Sequence, residues 1–229
     1  LITNYLFSLS LYDMYINAEP LYEYDKYIIL DPNQIYTGGI GIFDENIYIE
    51  GNGSIINLQN NLGIWAFSDE NTPANIDISR CTIINGSEYA LSFHGYSTGT
   101  VLNCNLVNSN FGIKVFDYAN VSMKNTNLIN NVTYGAGIYS TTPTLNVSYC
   151  NAWGNNQDYM ENCPGWGSIW TPWEAEEDCT GLLENNPLFI DSNNLDYQYD
   201  SNSPCIDSGN PEFLDPDNTI SDIGANFYN

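Results

Sequence analysis

The sequence predicts an all-β fold, a right-handed parallel β-helix in which the chain winds into stacked coils. Three observations support this prediction. A short motif recurs at near-constant spacing, each repeat holds short runs of alternating apolar and polar residues, and no repeat has a sustained helical period. A unit of three short strands cannot bury a core alone, whereas stacked units form a solenoid with a continuous interior. Crossovers between parallel strands are right-handed in nearly all proteins, which gives the predicted handedness.

A five-residue motif marks each coil. Its copies lie 28, 23, 22 and 24 residues apart, because they begin at Gly53, Cys81, Cys104, Thr126 and Cys150. Stacked coils bring like positions above one another, so each motif position forms a column. At the fifth motif position this predicts an asparagine ladder. Its side-chain amides would form hydrogen bonds from one coil to the next and to backbone polar groups of the turns. The ladder would contain Asn57, Asn85, Asn108 and Asn130.

The first motif position holds small residues and three of the six cysteines. Cys81, Cys104 and Cys150 share this column with Thr126. We expect them to stack as small inward side chains. The sequence leaves their pairing open, as it does that of Cys205.

Four segments follow from where the repeat begins, breaks and ends. Residues 27–154 form the predicted coils and residues 185–229 the predicted C-terminal closing coils. An open solenoid end needs a cap, so residues 1–26 either cap it or dock on a neighbouring molecule by strand addition, which would give self-association. Residues 155–184 are too long for a turn and are interpreted as a loop insertion. Together the four segments make one structural domain.

The loop insertion is rich in tryptophan and contains two cysteines. Cys163 and Cys179 enclose 15 residues, and a disulfide between them would stabilise the fold by about 3 kcal/mol. Two unrelated buried thiols are the alternative. Six cysteines in a chain poor in basic residues favour an oxidising, extracellular location, either secreted or attached to a cell surface.

The charge balance narrows the range of partners. The 229 residues include 4 Lys and Arg against 28 Asp and Glu, a net charge of −24, although only 14% of residues are charged. Nucleic acids and anionic membrane surfaces need a basic footprint and are therefore excluded as partners. No apolar run approaches the ~20 residues of a membrane span, so membrane insertion is not expected. Cations and uncharged glycans are the favoured partners.

The strand after the motif separates inward from outward residues by its alternation. If Ile64, Leu91 and Ile113 point inward, their neighbours point outward, and these include Trp65, Phe67, His94, Lys114, Phe116 and Tyr139. Exposed rings with polar groups nearby provide platforms for the apolar faces of sugars. We therefore predict a ligand-binding face for a polysaccharide or a cell-surface glycan. The alternative is that the loop insertion or a partner covers the rings.

His94 and Lys114 are weak catalytic candidates on this face. A polysaccharide lyase needs a base to take a proton next to a carboxylate and a cation to stabilise the resulting enolate. The chain lacks a clustered basic groove, however, and its net charge opposes an acidic polymer. A glycoside hydrolase would need two carboxylates, and Asp117 has no matching second acid on the regular coils. The prediction therefore leans away from an enzyme.

One acidic stretch resembles a cation site. Asp215, Asp217 and Asp222 alternate with other oxygen-bearing residues, and Ca²⁺ binds such oxygen sets. The stretch lacks the glycine and the distal glutamate of an EF-hand. Calcium is a possible cofactor on this basis, and a solvated turn is the alternative.

Three groups of residues resemble the secreted bacterial right-handed parallel β-helix proteins related to the pectate-lyase-like superfamily. The first coil, residues 27–53, and the last regular coil, residues 148–155, are similar to that family. So is the family's closing segment, which is matched by Asn186-Pro187-Leu188-Phe189-Ile190-Asp191, Ser203-Pro204-Cys205-Ile206-Asp207-Ser208-Gly209 and Asp222-Ile223-Gly224-Ala225. The resemblance covers residues 27–229 without the loop insertion. It implies the fold, while the family includes lyases, adhesins and other repeats.

Two hypotheses for function follow. The first is a non-catalytic extracellular module that acts in cell-surface adhesion or in matrix or fibre structure, and that binds glycans through the outward aromatic residues. The alternative is a polysaccharide lyase or glycoside hydrolase that uses the same face.

Overall fold

A computed structural model describes residues 9–139, 142–156 and 180–228. Within these ranges the chain forms twenty short strands, one α-helix and one 3₁₀ turn at Ser192–Asn194. In chain order they are β1 (Leu9–Ser10), α1 (Leu11–Asn17), β2 (Lys26–Ile29), β3 (Ile35–Thr37), β4 (Gly41–Phe43), β5 (Asn46–Glu50), β6 (Ile55–Asn57), β7 (Ile64–Ser68), β8 (Asn75–Ser79), β9 (Thr82–Ile84), β10 (Tyr89–Gly95), β11 (Thr98–Leu102), β12 (Asn105–Val107), β13 (Phe111–Phe116), β14 (Asn120–Lys124), β15 (Asn127–Ile129), β16 (Tyr134–Tyr139), β17 (Thr144–Ser148), β18 (Asn151–Trp153), β19 (Phe189–Asp191) and β20 (Asp196–Tyr199).

The first eighteen strands build three parallel sheets, as the repeat predicts. Sheet A has the order β1-β3-β6-β9-β12-β15-β18, sheet B the order β4-β7-β10-β13-β16, and sheet C the order β2-β5-β8-β11-β14-β17. Each coil passes from sheet C to sheet A and then to sheet B. Strands of one sheet are therefore contributed by consecutive coils, which confirms the predicted parallel solenoid.

The strand registers align the inward apolar residues into one core. Leu91 lies between Ile64 and Ile113 in sheet B, and Val101 lies between Ile78 and Met123 in sheet C. All of these side chains are buried in a single cluster that runs the length of the coils. Burial of aliphatic side chains, at about 1.5–3 kcal/mol each, is the main stabilising contribution.

Helix α1 covers the N-terminal end of this core. Ser10 caps the helix, Leu11 is fully buried, and Met14 and Tyr15 pack against the core cluster. Strand β1 also extends sheet A by pairing with β3. The end of the solenoid is thus closed by residues 9–17. The predicted docking of the N-terminal stretch on another molecule remains a prediction, and residues 1–8 lie outside the described part of the chain.

The C-terminal residues lie along the side of the coils. After residues 180–185, which add backbone hydrogen bonds next to β18, residues 186–228 cross the outer face of sheet A. We call residues 186–228 the C-terminal strap. Tyr197 packs on Ile84, Val107 and Ile129, while β19 and β20 form a separate antiparallel pair. The residues of the predicted closing segment therefore cover the outer face of sheet A.

The asparagine ladder was predicted at the wrong motif position. Only Asn85 and Asn57 are joined by their side chains, with 3.2 Å from Nδ2 to Oδ1, and Asn108 and Asn130 are exposed. Asn85, Asn108 and Asn130 take up left-handed backbone directly after β9, β12 and β15, with φ of 52° to 62°, whereas Asn57 is the last residue of β6. Asparagine tolerates this conformation, which explains why it recurs there.

The buried ladder lies at the second motif position. Asn105 donates to Thr82 Oγ1 at 3.0 Å, Asn127 to Asn105 Oδ1 at 2.9 Å, and Asn151 to Asn127 Oδ1 at 3.0 Å. We call Asn105, Asn127 and Asn151 the amide column. All three are fully buried beneath the strap, where Asn127 also contacts the Tyr199 hydroxyl and the Ile223 carbonyl.

The corner between sheets C and A has a constant form in the last four coils. Two residues separate the strands. The first adopts left-handed backbone, with φ between 48° and 53° at Arg80, Asn103, Asn125 and Tyr149. The second is the buried column of Cys81, Cys104, Thr126 and Cys150, as predicted. The corner between sheets B and C varies instead, from residues 69–74 in one coil to residues 96–97 in the next.

Candidate functional site

The outward residues of sheet B form one continuous aromatic surface. Phe67, His94, Phe116 and Tyr139 occupy one column on consecutive coils, because β10 pairs with β7 and β13 with β16 in register. Phe43 precedes them opposite Phe67 on β4. Trp65 and Lys114 lie in the neighbouring column, on either side of Ser92. We call Phe43, Trp65, Phe67, His94, Lys114, Phe116 and Tyr139 the aromatic face. The structure thus brings the predicted residues together and adds Phe43.

The C-terminal half of this face is stacked on itself. The rings of His94 and Phe116 are 4.6 Å apart with planes at 14°, and those of Phe116 and Tyr139 are 4.7 Å apart at 15°. Parallel strands impose this spacing of about 4.8 Å, which suits offset-stacked rings. The face of Phe116 is covered on both sides by its neighbours. This half of the surface therefore presents ring edges, and its ring faces are already used.

Lys114 lies over the same rings. Its Nζ is 4.5 Å from the ring centre of Phe111, 4.8 Å from that of Phe116 and 4.7 Å from that of Tyr139. Partial burial lowers the pKa of Lys114, while the carboxylate of Glu88 acts in the opposite direction. Three cation–π contacts hold the ammonium group in place. Lys114 thus packs against the rings of the aromatic face.

His94 is also held by a neighbour. Its Nε2 is 2.7 Å from Ser92 Oγ, and the Ser92 hydroxyl donates to the Lys114 carbonyl at 3.0 Å. Because that hydroxyl proton is used, Nε2 carries a proton and donates to Ser92. Burial lowers the pKa of His94, which favours the neutral ring at neutral pH. In this arrangement Nε2 does not serve as a base.

The catalytic role considered for His94 and Lys114 stays a prediction, and the two side chains have different neighbours. The register places Lys114 opposite Ser92, whereas His94 stacks on Phe116. Asp117, the acid considered for a hydrolase, uses Oδ2 to accept the Gly95 backbone N–H at 3.0 Å in the corner that follows. Each candidate group is thus engaged in a contact that maintains the coil.

The N-terminal half of the face is more open. Phe43 and Phe67 are 54% and 44% exposed. The Trp65 ring is perpendicular to its neighbours, at 87° to Phe43 and 78° to His94. It lies over Gly41, where a β-carbon would be only 2.4 Å from Trp65 Cζ2. Glycine at position 41 thus leaves room for the indole above the sheet.

Alternation predicts the side of the sheet for each ring but gives no ring angles. The contrast between the stacked half and the open half was therefore not found from the sequence. Phe43 was missed because β4 lies before the first clear motif copy. Tyr89, Phe111 and Tyr134, which add further ring contacts, were missed as well. Their shared position just before the small residue of each repeat is a signal that could have found them.

The three acids of the acidic stretch accept hydrogen bonds from neighbouring residues of the strap. Asp222 accepts backbone N–H groups from Asp207 and Tyr228, and Asp215 Oδ2 accepts the Asp222 N–H at 2.9 Å. Asp217 is exposed and accepts from Thr219. No cluster of three potential metal-ligating side chains is found in the described part of the chain. Asp215 Oδ1 is buried without a hydrogen-bond partner, and the predicted Ca²⁺ remains a prediction.

The two acids of this stretch that are buried have perturbed pKa values. Burial and the neighbouring Asp222 raise the pKa of Asp215 to about 7, and burial also raises the pKa of Asp222. The carboxyl group of Asp215 is therefore mostly protonated at mildly acidic pH. This property concerns hydrogen bonds within the strap and is separate from the aromatic face.

The four cysteines in the described part of the chain are packing residues of the coils and the strap. Cys81, Cys104, Cys150 and Cys205 are free and buried. Burial raises the pKa of Cys104, Cys150 and Cys205 to about 12, so these thiols are protonated and unreactive at neutral pH. Cys163 and Cys179, the predicted disulfide, lie outside the described residues, as does most of the tryptophan-rich loop.

Comparison with known families gives one match. Residues 25–171 match the family described as right handed beta helix region, which covers more than half of the chain and confirms the predicted handedness. A comparison with curated proteins finds no match. Within the described residues, no helix is long and apolar enough to cross a membrane.

Proposed function

Because the chain belongs to the right-handed beta helix family, we propose that it is a non-catalytic extracellular module that binds glycan chains through the open half of its aromatic face. The observation that carries this proposal is the arrangement of Trp65, an indole placed over Gly41 and against the exposed ring of Phe43, which in turn contacts the exposed ring of Phe67. Sugars stack their C–H faces on such rings.

The charge of the chain supports an uncharged glycan. With a net charge of −24, the protein repels acidic polymers at long range. The contacts of the candidate catalytic groups support binding without turnover. His94 donates to Ser92, Lys114 lies against three rings, and Asp117 fixes a backbone corner. The proposed role is adhesion or matrix attachment, with the rigid coils as the scaffold.

The proposal is tested by binding to a panel of insoluble neutral and acidic polysaccharides, with unsaturated products and reducing ends followed in the same samples. We expect retention on a neutral polysaccharide without product. Trp65→Ala should weaken retention at least about tenfold, because a stacking platform is lost. Gly41→Ala should weaken it too, since the new β-carbon displaces the indole.

Tyr139→Ala is the matched control, because it removes a ring from the stacked half of the same face. It should leave retention nearly unchanged. Turnover that is abolished by His94→Ala or Lys114→Ala would overturn the non-catalytic proposal. Equal loss of retention in the Trp65 and Tyr139 variants would overturn the assignment to the open half.

A further inference from the structure

A polar cavity lies between the outer face of sheet C and the strap, on a different sheet from the aromatic face. It has a volume of about 500 Å³. Strands β14 and β17 supply one wall through Ser122, Lys124, Asn146 and Ser148, and the strap contributes Asn210, Pro211 and Glu212. We call this cavity the strap groove. Its size is in the range of small-molecule sites, which span roughly 300–1,000 Å³.

The basic residues of the chain distinguish this groove. Only four Lys and Arg residues occur in the whole sequence. Three are engaged: Lys26 bonds to the Ala18 carbonyl and lies over Tyr15, Arg80 is near Glu50 and lies over Phe227, and Lys114 lies over three rings.

The fourth basic residue, Lys124, has a different environment. Its side chain is half-buried in the groove lining and makes no hydrogen bond, ion pair or ring contact with the described residues. Lys26 and Lys114 also lack an acidic partner among the described residues, but both ammonium groups lie over aromatic rings, whereas that of Lys124 does not. This places a strong hydrogen-bond donor, with three N–H groups, where it is available to a ligand.

The polar side chains on the outer face of sheet C also differ along the sheet in whether they are hydrogen-bonded to other side chains. Near the N-terminus its polar side chains bond to one another: Tyr48 Oη and Ser79 Oγ are 2.8 Å apart, and Asn75 donates to Asn46 Oδ1 at 2.9 Å. In the groove the side chains of Ser122, Asn146 and Ser148 make no hydrogen bond to any described residue. The Glu212 carboxylate likewise has no partner in that part of the chain. The hydrogen-bonding capacity of these groups is therefore available to a ligand in the groove.

Tyr149 adds an aromatic ring at the end of the groove. Its backbone is left-handed, with φ of 51°, and its ring packs against Gly181, where a β-carbon would be 2.4 Å from Cδ1. The glycine therefore allows the close approach of the ring. The ring is half-buried, so it is held in place and still reaches the groove.

We propose that the strap groove is a binding site for one or two neutral sugar residues. Lys124 would donate to hydroxyl oxygens, Glu212 would accept from hydroxyl groups, and the Asn146 amide would do both. Tyr149 would pack against the apolar face of the ring. Glu212 and the charge of −24 disfavour an acidic sugar. This site is independent of the proposed function of the aromatic face.

The test is a titration of the isotope-labelled full chain with the neutral disaccharides cellobiose, maltose and lactose, followed through backbone amide shifts. The acidic sugar glucuronate is titrated in parallel. We expect at least one neutral disaccharide, at millimolar concentration, to shift the amides of residues 146–149 and 210–212. Lys124→Met should weaken that binding about tenfold, as expected for hydrogen bonds to a charged group.

Lys26→Met is the matched control, because it removes an engaged lysine on the same sheet, and it should leave the affinity unchanged. Gly181→Ala is a second variant that displaces Tyr149 and should weaken binding while leaving Lys124 in place. Phe67→Ala separates this site from the aromatic face and should have no effect here. Absence of shifts with all three disaccharides, shifts confined to sheet B, or binding of glucuronate alone would each overturn the proposal.

Discussion

The amide column on sheet A and the stacked rings on sheet B both consist of like side chains that point outward on consecutive coils. They differ in what covers them. The amides of Asn105, Asn127 and Asn151 are fully buried by the strap, whose Tyr199 hydroxyl and Ile223 carbonyl contact Asn127. The rings of His94, Phe116 and Tyr139 are half-buried and bind one another. The chemistry of a column thus decides whether it attaches the chain's own strap or stabilises itself.

The largest expected effect comes from breaking the amide column. Asn127→Ala should lower the free energy of unfolding by about 3 kcal/mol, because it leaves buried partners on Asn105, Asn151 and Tyr199 unsatisfied. Urea denaturation measures this loss. Asn120→Ala, at an exposed position without a side-chain hydrogen bond, should stay within about 0.5 kcal/mol. Equal losses in both variants would show that the column does not attach the strap.

The stability of the fold should also depend on pH through the buried acids within the strap. The pKa of Asp215 is raised from 3.8 to about 7, so the folded state binds more protons than the unfolded state between these values. The free energy of unfolding should therefore fall as pH rises from about 4 to about 7 and then level off for this group. Asp215→Asn should flatten this slope and raise stability at pH 8. Thermal unfolding across this range checks it, and an unchanged slope in the variant would contradict it.

Breaking the stacked rings should cost less. Phe116→Ala removes two stacked contacts and one cation–π contact, and we expect a loss of about 2 kcal/mol. Tyr118→Ala is the control, since Tyr118 stacks only on Tyr96 and is 55% exposed. Its loss should be clearly smaller. If both variants lose the same stability in denaturant titrations, the stacked half does not stabilise itself more than an exposed pair.

The smallest effect is expected at Lys114. Lys114→Met keeps the aliphatic stem and removes the ammonium group, whose desolvation offsets part of the cation–π attraction. We expect a loss of about 0.5 kcal/mol in the unfolding free energy. Lys124→Met, on the groove wall, should leave stability unchanged in the same measurement. A loss of several kcal/mol in the Lys114 variant would show that the rings depend on the charge.

Much of the fold could be predicted because coil stacking converts sequence spacing into position. The motif spacing placed Cys81, Cys104, Thr126 and Cys150 in one buried column, and the alternation placed Trp65 and Phe116 on the outer face. These results depend only on period and register, which are local properties of the sequence.

The buried ladder could not be chosen in this way. Asparagine occurs at both the second and the fifth motif positions, for example at Asn105 and Asn108. Which of the two positions is buried depends on the strap, which lies far away in the sequence. The Cys205 thiol, for example, donates to Asn127 Oδ1 although the two residues are 78 positions apart. The angles of the rings around Trp65 and the engagement of His94 with Ser92 depend likewise on three-dimensional packing.

The unequal corners of the coil have a practical consequence for engineering. The corner between sheets C and A allows two residues, one of which is left-handed and one buried, so an added residue would shift every strand that follows. The corner between sheets B and C already ranges from residues 96–97 to residues 69–74. Foreign peptides could therefore be grafted at the exposed residues 69–71 of the long corner with little effect on the rise of the solenoid, since surface loops tolerate added length at small entropic cost, whereas Ser97 of the short corner is buried. Evolution has the same freedom, so recognition loops in such chains should diversify at that edge while the opposite edge keeps its length.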